Sequence, residues 1–201
     1  MNIKNYFESY KTQLNDAFDT INQNDLERAS NVIIQAARLG IPILVFGNGG
    51  SAAISEHFSC DHTKGIRHDT HLEPNMISLT SNFPLISAIA NDYSYEDIFS
   101  EQIKHYVNYS LYLPVVLAIS SSGNSPNIIK ALETAKTQQL QSIAIVGFDG
   151  GKVREKGLAD IVIHIDAKNY GIVEDITQSL CHIMAQHIRL EYGAAAGSIK
   201  L

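Results

Sequence analysis

Ile43-Leu44-Val45-Phe46-Gly47-Asn48-Gly49-Gly50-Ser51-Ala52-Ala53 is a short apolar run that breaks into a glycine-rich loop and then into a helical pattern. A second stretch repeats the order: Val115-Val116-Leu117-Ala118-Ile119, then Ser120-Ser121-Ser122-Gly123-Asn124-Ser125-Pro126. Such a run, followed by a turn and a helix, reads as a buried strand of a parallel sheet. The loop then sits at a helix N-terminus, where unpaired N–H groups and partial positive charge attract an anion. Serine hydroxyls and closely approaching glycine backbone add neutral donors. Either loop alone has a structural reading, since glycine suits a positive φ and Ser125-Pro126 suits a helix start. Together they carry more glycine and serine than capping needs, and they read as one site for a phosphorylated ligand, built without arginine or lysine.

Working outward, five strand-like runs appear: Ile43–Phe46, Met76–Leu79, Val115–Ile119, Ile143–Val146 and Ile161–Ile165. Helical segments separate them, at about 51–64, 84–91 with 95–107, 126–139 and 151–157, and a last helix covers about 171–191. The alternation predicts a three-layer α/β/α sandwich around a five-stranded parallel sheet, because parallel crossovers need helices. Ligands of such sheets bind beyond the carboxyl ends of the strands. Two amphipathic helices precede the first strand. Phe7, Tyr10, Leu14, Phe18 and Ile21 form one stripe; Ala29, Ile33, Ile34 and Ala37 form the next, ended by Gly40. The expected organisation is a single domain over 1–201: a helical segment over 1–40 that packs on its own helices or on another copy, and an α/β core over 41–201.

Composition narrows the function. The 201 residues are 45% hydrophobic and 18% charged with a net charge of -6, an ordinary globular balance that disfavours a duplex nucleic-acid footprint. No apolar run is long enough for a membrane span, and the N-terminus lacks a secretory apolar core, so a cytoplasmic protein is expected. Cys60 and Cys181 suit a reducing compartment and are expected to be buried free thiols. Nucleotide sites fit poorly: the first loop is not G-x-G-x-x-G, no G-K-[ST] occurs, and Leu79-Thr80-Ser81-Asn82 offers no acid for a ribose.

The remaining chemistry lies on two helices. His57 and Asp61 are four residues apart on one face, and Glu174, Gln178 and His182 are spaced by four on the last helix. Two imidazoles and two carboxylates suit a divalent metal or an acid–base pair. Glu174 and His182 are about 12 Å apart along a helix, so either one is not a ligand or neighbouring chains share the site. His62, His68 and His71 flank Lys64-Gly65-Ile66-Arg67, which reads as a solvated loop.

The two loops with His57, the stretch Ala88-Ile89-Ala90-Asn91-Asp92-Tyr93, and Asn127 after the second loop resemble the sugar isomerase (SIS) domain family, and within it the phosphoheptose isomerase branch. The likeness spans the whole chain. It implies a homotetramer acting on a phosphorylated sugar, with sites between subunits and no nucleic-acid or membrane partner. It implies substrate contacts from Asn48, Gly49, Gly50, Ser51, Asn91, Asp92, Ser120, Ser121, Ser122, Ser125 and Glu174, with the serines around the phosphate. It implies zinc held by His57, Asp61, Glu174 and His182, no nucleotide cofactor, and aldose–ketose isomerisation with Asp61 as base and His182 as proton donor. The same fold also serves non-catalytic adaptor tetramers and isomerases of other phosphosugars; retention of Asp61 and His182 favours an enzyme. Departures from the family pattern are Asp61 for glutamate, Glu174 for glutamine, Asn82 for aspartate and Lys168-Asn169-Tyr170 for Asp-Asp-Thr. Lys64-Gly65 stands where an arginine is expected.

Overall fold

A computed structural model describes residues 2–193. Two helices open the chain, α1 (Ile3–Asp19) and α2 (Gln23–Leu39). Asn2 and Asn22 cap them with side-chain oxygens that accept backbone N–H groups, and Gly40 closes α2 in the left-handed region at φ 65°. Then follow β1 (Pro42–Gly47), α3 (Gly50–Cys60), a π-helical turn (Asp61–Ile66), a single turn α4 (Arg67–Asp69) and β2 (Asn75–Ser78). The middle holds α5 (Phe83–Asp92), a 3-10 turn (Tyr95–Asp97), α6 (Ser100–Tyr109), β3 (Val115–Ser120) and α7 (Pro126–Thr137). The last third is β4 (Ser142–Val146), α8 (Gly151–Glu155), β5 (Ile161–His164) and α9 (Tyr170–Tyr192).

The five strands form one parallel sheet in the order β2-β1-β3-β4-β5, the α/β fold that the alternation predicts. Strand residues alternate between the two faces. Val45, Leu117, Ile119 and Ile145 join α2, α3 and α9 in one core, where Phe58, Ile33, Ile176 and Leu180 are buried. Leu44, Phe46, Val116 and Ala118 join α5 to α8 in the other, with Ile103, Leu132 and Val153. Both faces are covered, so the strands read as nearly continuous apolar runs. α1 packs on α9 of its own chain. The Tyr10 hydroxyl donates to Asp175 at 2.7 Å, and that bond, helped by burial, pushes the phenol up to about 12. Ile3, Tyr6 and Phe7, on the same helix, remain exposed.

Two expectations are corrected in the stretch after α3. Residues 64–67 are not a loop: the helix continues as a π-helical turn, whose wider i→i+5 bonding rotates the following residues. That rotation carries Ile66 and His62 fully into the core, so His62 is not solvated. Its ring stacks on Phe58 with centroids 3.7 Å apart, and Nδ1 meets the Phe58 carbonyl at 2.9 Å, the ring N–H donating. The other nitrogen, Nε2, is buried without a partner. Cys60 is the second correction: it is exposed, while Cys181 is buried, because Cys60 lies on the face of α3 that borders a cleft.

Burial disfavours the charged imidazole and lowers the pKa of His62 from 6.5 to about 4. Between these values the unfolded chain binds a proton that the folded chain refuses, so stability falls as the pH drops through that window. Urea unfolding of the protein at pH 7.5 and pH 4.5 is expected to show a loss approaching about 3 kcal/mol from this group. His62→Phe, which fills the same stacked position without titrating, should remove most of it. An equal acid loss in that variant refutes the assignment.

Candidate active site

β1 and β3 are neighbours although β2 lies between them in sequence; Gly47 pairs with Ile119 at their carboxyl ends. Connections leave in opposite directions here, the switch point at which such sheets bind ligands. Both serine/glycine loops start at this point. They are tied by a reciprocal amide pair: Asn48 Nδ2 donates to Asn127 Oδ1 and Asn127 Nδ2 donates to Asn48 Oδ1, both at 2.9 Å. Asn127 Oδ1 also accepts the backbone N–H of Ile128, and Asn48 Oδ1 accepts Tyr95 Oη–H at 3.1 Å. The second loop is pinned from behind. Gly123 has φ 61°, and a Cβ there would lie 2.0 Å from the Gly150 carbonyl oxygen, so no other residue fits.

Between the loops lies a small cleft of about 190 Å³, walled by Ser51, Ser120, Ser121, Ser122 and Ser125, with Asn48 at its edge and Tyr170 and Glu174 opposite. Ser51, Ser120 and Ser121 are buried. Among the described residues, nothing bonds to the hydroxyls of Ser51, Ser120, Ser121 or Ser125. Ser125 starts α7 without a side-chain cap bond, which leaves its hydroxyl to the cleft. Gly49 (φ 54°) and Gly50 open α3 beside it. Converging, unpaired neutral donors at two helix N-termini are what a phosphate ester requires. Asn91 and Asp92 are not in this cleft. They end α5, where the Asn91 amide donates to Asp92 at 2.9 Å. Asn82 caps α5 by accepting from Leu85 N–H, and Asn169 caps α9 by accepting from Gly171 N–H.

The second constellation lies farther along α3 and α9. His57 Nε2 is 3.2 Å from Asp61 Oδ2, His182 Nε2 is 3.4 Å from the same oxygen, and the two Nε2 atoms are 3.2 Å apart. An imidazole nitrogen has one in-plane direction, holding a proton or a lone pair. A triangle of three such contacts is therefore not a set of hydrogen bonds; it marks three donors aimed at one point. Zinc bonds of about 2.0–2.1 Å in tetrahedral array place ligand atoms about 3.3 Å apart, which the triangle matches. Each side chain is a third to a half exposed, so an open fourth position is reachable. Gln178 Nε2 lies 2.9 Å from His182 Nε2; an amide nitrogen only donates, so this contact engages the one Nε2 lone pair, and an ion bound at the cluster would have to displace the Gln178 amide from it. These residues could hold a metal ion.

Glu174 does not join that group. Its carboxylate lies against Gly50 in the serine cleft, consistent with the 12 Å that the helix puts between it and His182. Gln178, which the sequence pattern marks by spacing alone, takes the place beside His182. The cluster opens into a larger cleft of about 540 Å³, bordered by Cys60, Lys64, Gly65, His68 and Arg189. Arg189 Cδ lies 3.5 Å from the position a Cβ on Gly65 would take. Arg189, from α9, thus lies in van der Waals range of Gly65 at the border of this cleft.

Comparison with known proteins agrees with this geometry. Residues 5–147 match the SIS domain family. The chain belongs to that family. Proteins named phosphoheptose isomerase from Shewanella denitrificans and Colwellia psychrerythraea are each 35% identical to it, over 92% and 90% of this chain and 93% of their own lengths. The solved structure of a phosphoheptose isomerase from Neisseria gonorrhoeae superposes with a TM-score of 0.80 at 26% identity, covering 92% of this chain and 96% of that one.

Asn127 touches no cleft directly, so its replacement isolates the coupling of the loops. Asn127→Ala removes the reciprocal pair and leaves Asn48 half-satisfied, an expected loss of about 1–3 kcal/mol in urea unfolding. Phosphate affinity should fall with it. Unchanged affinity, measured by calorimetry, means that the loops do not need this tie.

Proposed function

We propose that the chain is a phosphoheptose isomerase that interconverts D-sedoheptulose 7-phosphate and D-glycero-D-manno-heptose 7-phosphate through an enediolate. The observation that carries this reading is the spacing of cradle and cluster. α3 and α9 both start at carboxyl ends of parallel strands and run side by side. Gly50 meets Glu174 at their first turns, and His57 meets His182 further on. Seven and eight residues of helix separate these levels, about 10–12 Å. A heptulose 7-phosphate has seven bonds between its carbonyl carbon and its phosphorus, about 8 Å at the reach of an extended chain. With side chains leaning inward, a long sugar fits phosphate in the cradle and carbonyl at the cluster, whereas a three-carbon sugar does not span them.

In this reading Ser51, Ser120, Ser121, Ser122 and Ser125, with Asn48 and the Gly49–Gly50 backbone, hold the phosphate. Asp61 is the base. Its Oδ2 faces both imidazoles, which leaves Oδ1 to take the proton from C1 of the ketose. The electrons of that C–H bond form the C1–C2 double bond while the carbonyl pair passes to O2; the O1 proton then moves to O2, the aldehyde forms at C1, and a proton delivered to C2 completes the aldose. Correctly positioned proton transfer is worth about 10²–10⁴-fold. His57, Asp61 and His182 would hold zinc, which when bound supplies Lewis-acid polarisation of the carbonyl oxygen. Metal and proton compete for the same His182 lone pair. In this reading His182, protonated on Nε2, is the proton donor to C2. Asn91 and Asp92, which line neither cleft, have no part in this reading within one chain. The exposed Ile3, Tyr6 and Phe7 give residues 1–40 a surface for other copies in a homotetramer. No helix among the described residues is long and apolar enough to cross a membrane, which supports a cytoplasmic enzyme.

Incubation with sedoheptulose 7-phosphate should yield an aldose phosphate, detected by chromatography; tight binding with no product defeats the isomerase reading. Asp61→Asn should lower kcat by 10²-fold or more, on the order expected for a lost base, with sugar-phosphate affinity nearly kept. Ser120→Ala and Ser122→Ala should instead weaken binding. Equilibrium dialysis against zinc should give one ion per chain, with His57→Ala and His182→Ala each losing it; retention in both variants removes the metal from this site.

A further inference from the structure

Among the described residues, Glu174 brings the one carboxylate that lines the serine cleft, and no lysine or arginine lines it. Its two carboxylate oxygens lie 2.6 and 2.7 Å from the point where a Cβ on Gly50 would stand, so the group rests on the backbone of the first residue of α3. It is half-buried, and among the described residues it receives no hydrogen bond and no ion pair. The positive end of α3 and the row of unpaired serine hydroxyls are what surround it. A carboxylate in that position occupies the field that an anionic ligand would use.

We propose that Glu174 is an internal counter-anion: it sits at the α3 N-terminus, competes there with the incoming phosphate ester, and so sets how tightly and how long the ligand is held. The inference rests on the reading of the serine cleft as the phosphate cradle. Two negative groups a few ångströms apart at a half-exposed site repel by more than a screened surface pair, though by less than a buried one. A ligand phosphate therefore binds against Glu174, and the carboxylate must turn away from Gly50 to admit it. The same repulsion hastens departure of the phosphorylated product. The cradle gains selectivity by this device as well, because only a ligand with enough hydroxyls to bond elsewhere along α3 and α9 offsets the opposing charge; inorganic phosphate alone does not.

The test is calorimetric titration of wild type, Glu174→Gln and Glu174→Ala with inorganic phosphate, with sedoheptulose 7-phosphate and with unphosphorylated sedoheptulose. Both variants should bind both phosphates about tenfold more tightly or better, the scale of one removed like charge at such a site. Affinity for the neutral sugar should not change, and steady-state KM should fall with kcat when product release limits turnover. Equal or weaker phosphate binding in Glu174→Gln overturns the proposal. Loss of affinity for the neutral sugar overturns it too, since the carboxylate would then be a hydroxyl acceptor. Failure of all three proteins, folded by circular dichroism, to bind either phosphate refutes the phosphate cradle itself, a separate outcome that takes this inference with it.

Discussion

The adjacency of β1 and β3 is the constraint from which the site follows. A sheet order of β2-β1-β3-β4-β5 sends the chain from β1 to one side and from β3 to the other. Two helix N-termini then face one cleft, and their fields add. The Asn48–Asn127 pair makes the arrangement rigid: each amide uses donor and acceptor on the other, and neither is left to bend toward solvent. A cleft held in this way presents neutral donors in fixed positions, at little cost in empty-state repulsion.

α3 and α9 convert this cradle into a site of defined length. Parallel strands give both helices the same starting level, so contacts at equal depth along the two are contacts at equal distance from the phosphate. Ser51 and Glu174 are one such level, His57 and His182 the next. The π-helical turn at Asp61–Ile66 follows directly. It lets Asp61 remain on the face of His57 while the next residues turn inward, and it anchors the turn with the buried stack of His62 on Phe58. The unpaired Nε2 of His62 is a cost of that anchoring.

Much of this was legible in the sequence, for reasons that differ by element. The strands were visible because both of their faces are buried and their residues form apolar runs. The two loops were visible because glycine and serine at a strand-to-helix junction answer a local need that does not depend on the rest of the fold. The pairing of His57 with Asp61 followed from helical spacing. The surroundings were not legible. A 3.6-residue period cannot register a π-helical turn, so residues 64–67 read as a loop and His62 as solvated. Cys60 read as buried because its type is usually buried, yet the cleft beside the cluster exposes it. Glu174 read as a zinc ligand beside His182 as well as a substrate contact; helix rise left open whether one of the two was no ligand or neighbouring chains shared the site, and only the packing of α9 on Gly50 puts its carboxylate in the serine cleft. Arg189 borders the same cleft from more than a hundred residues later in the chain, a proximity that periodicity cannot reveal.

The division of charge along α3 and α9 is the deeper regularity. At the first level the protein offers neutral hydroxyls and helix dipoles and sets one carboxylate against them. At the next it offers two imidazoles and a carboxylate whose lone pairs converge, an arrangement that favours a cation. A ligand with an anionic ester at one end and a polarisable carbonyl at the other matches both levels in only one orientation. Reversing it would set the phosphate against the Asp61 carboxylate and the carbonyl among the serines, away from both imidazoles. In the proposed reading electrostatics would set the orientation, and the sugar hydroxyls along the two helices would be left to decide which sugar is accepted.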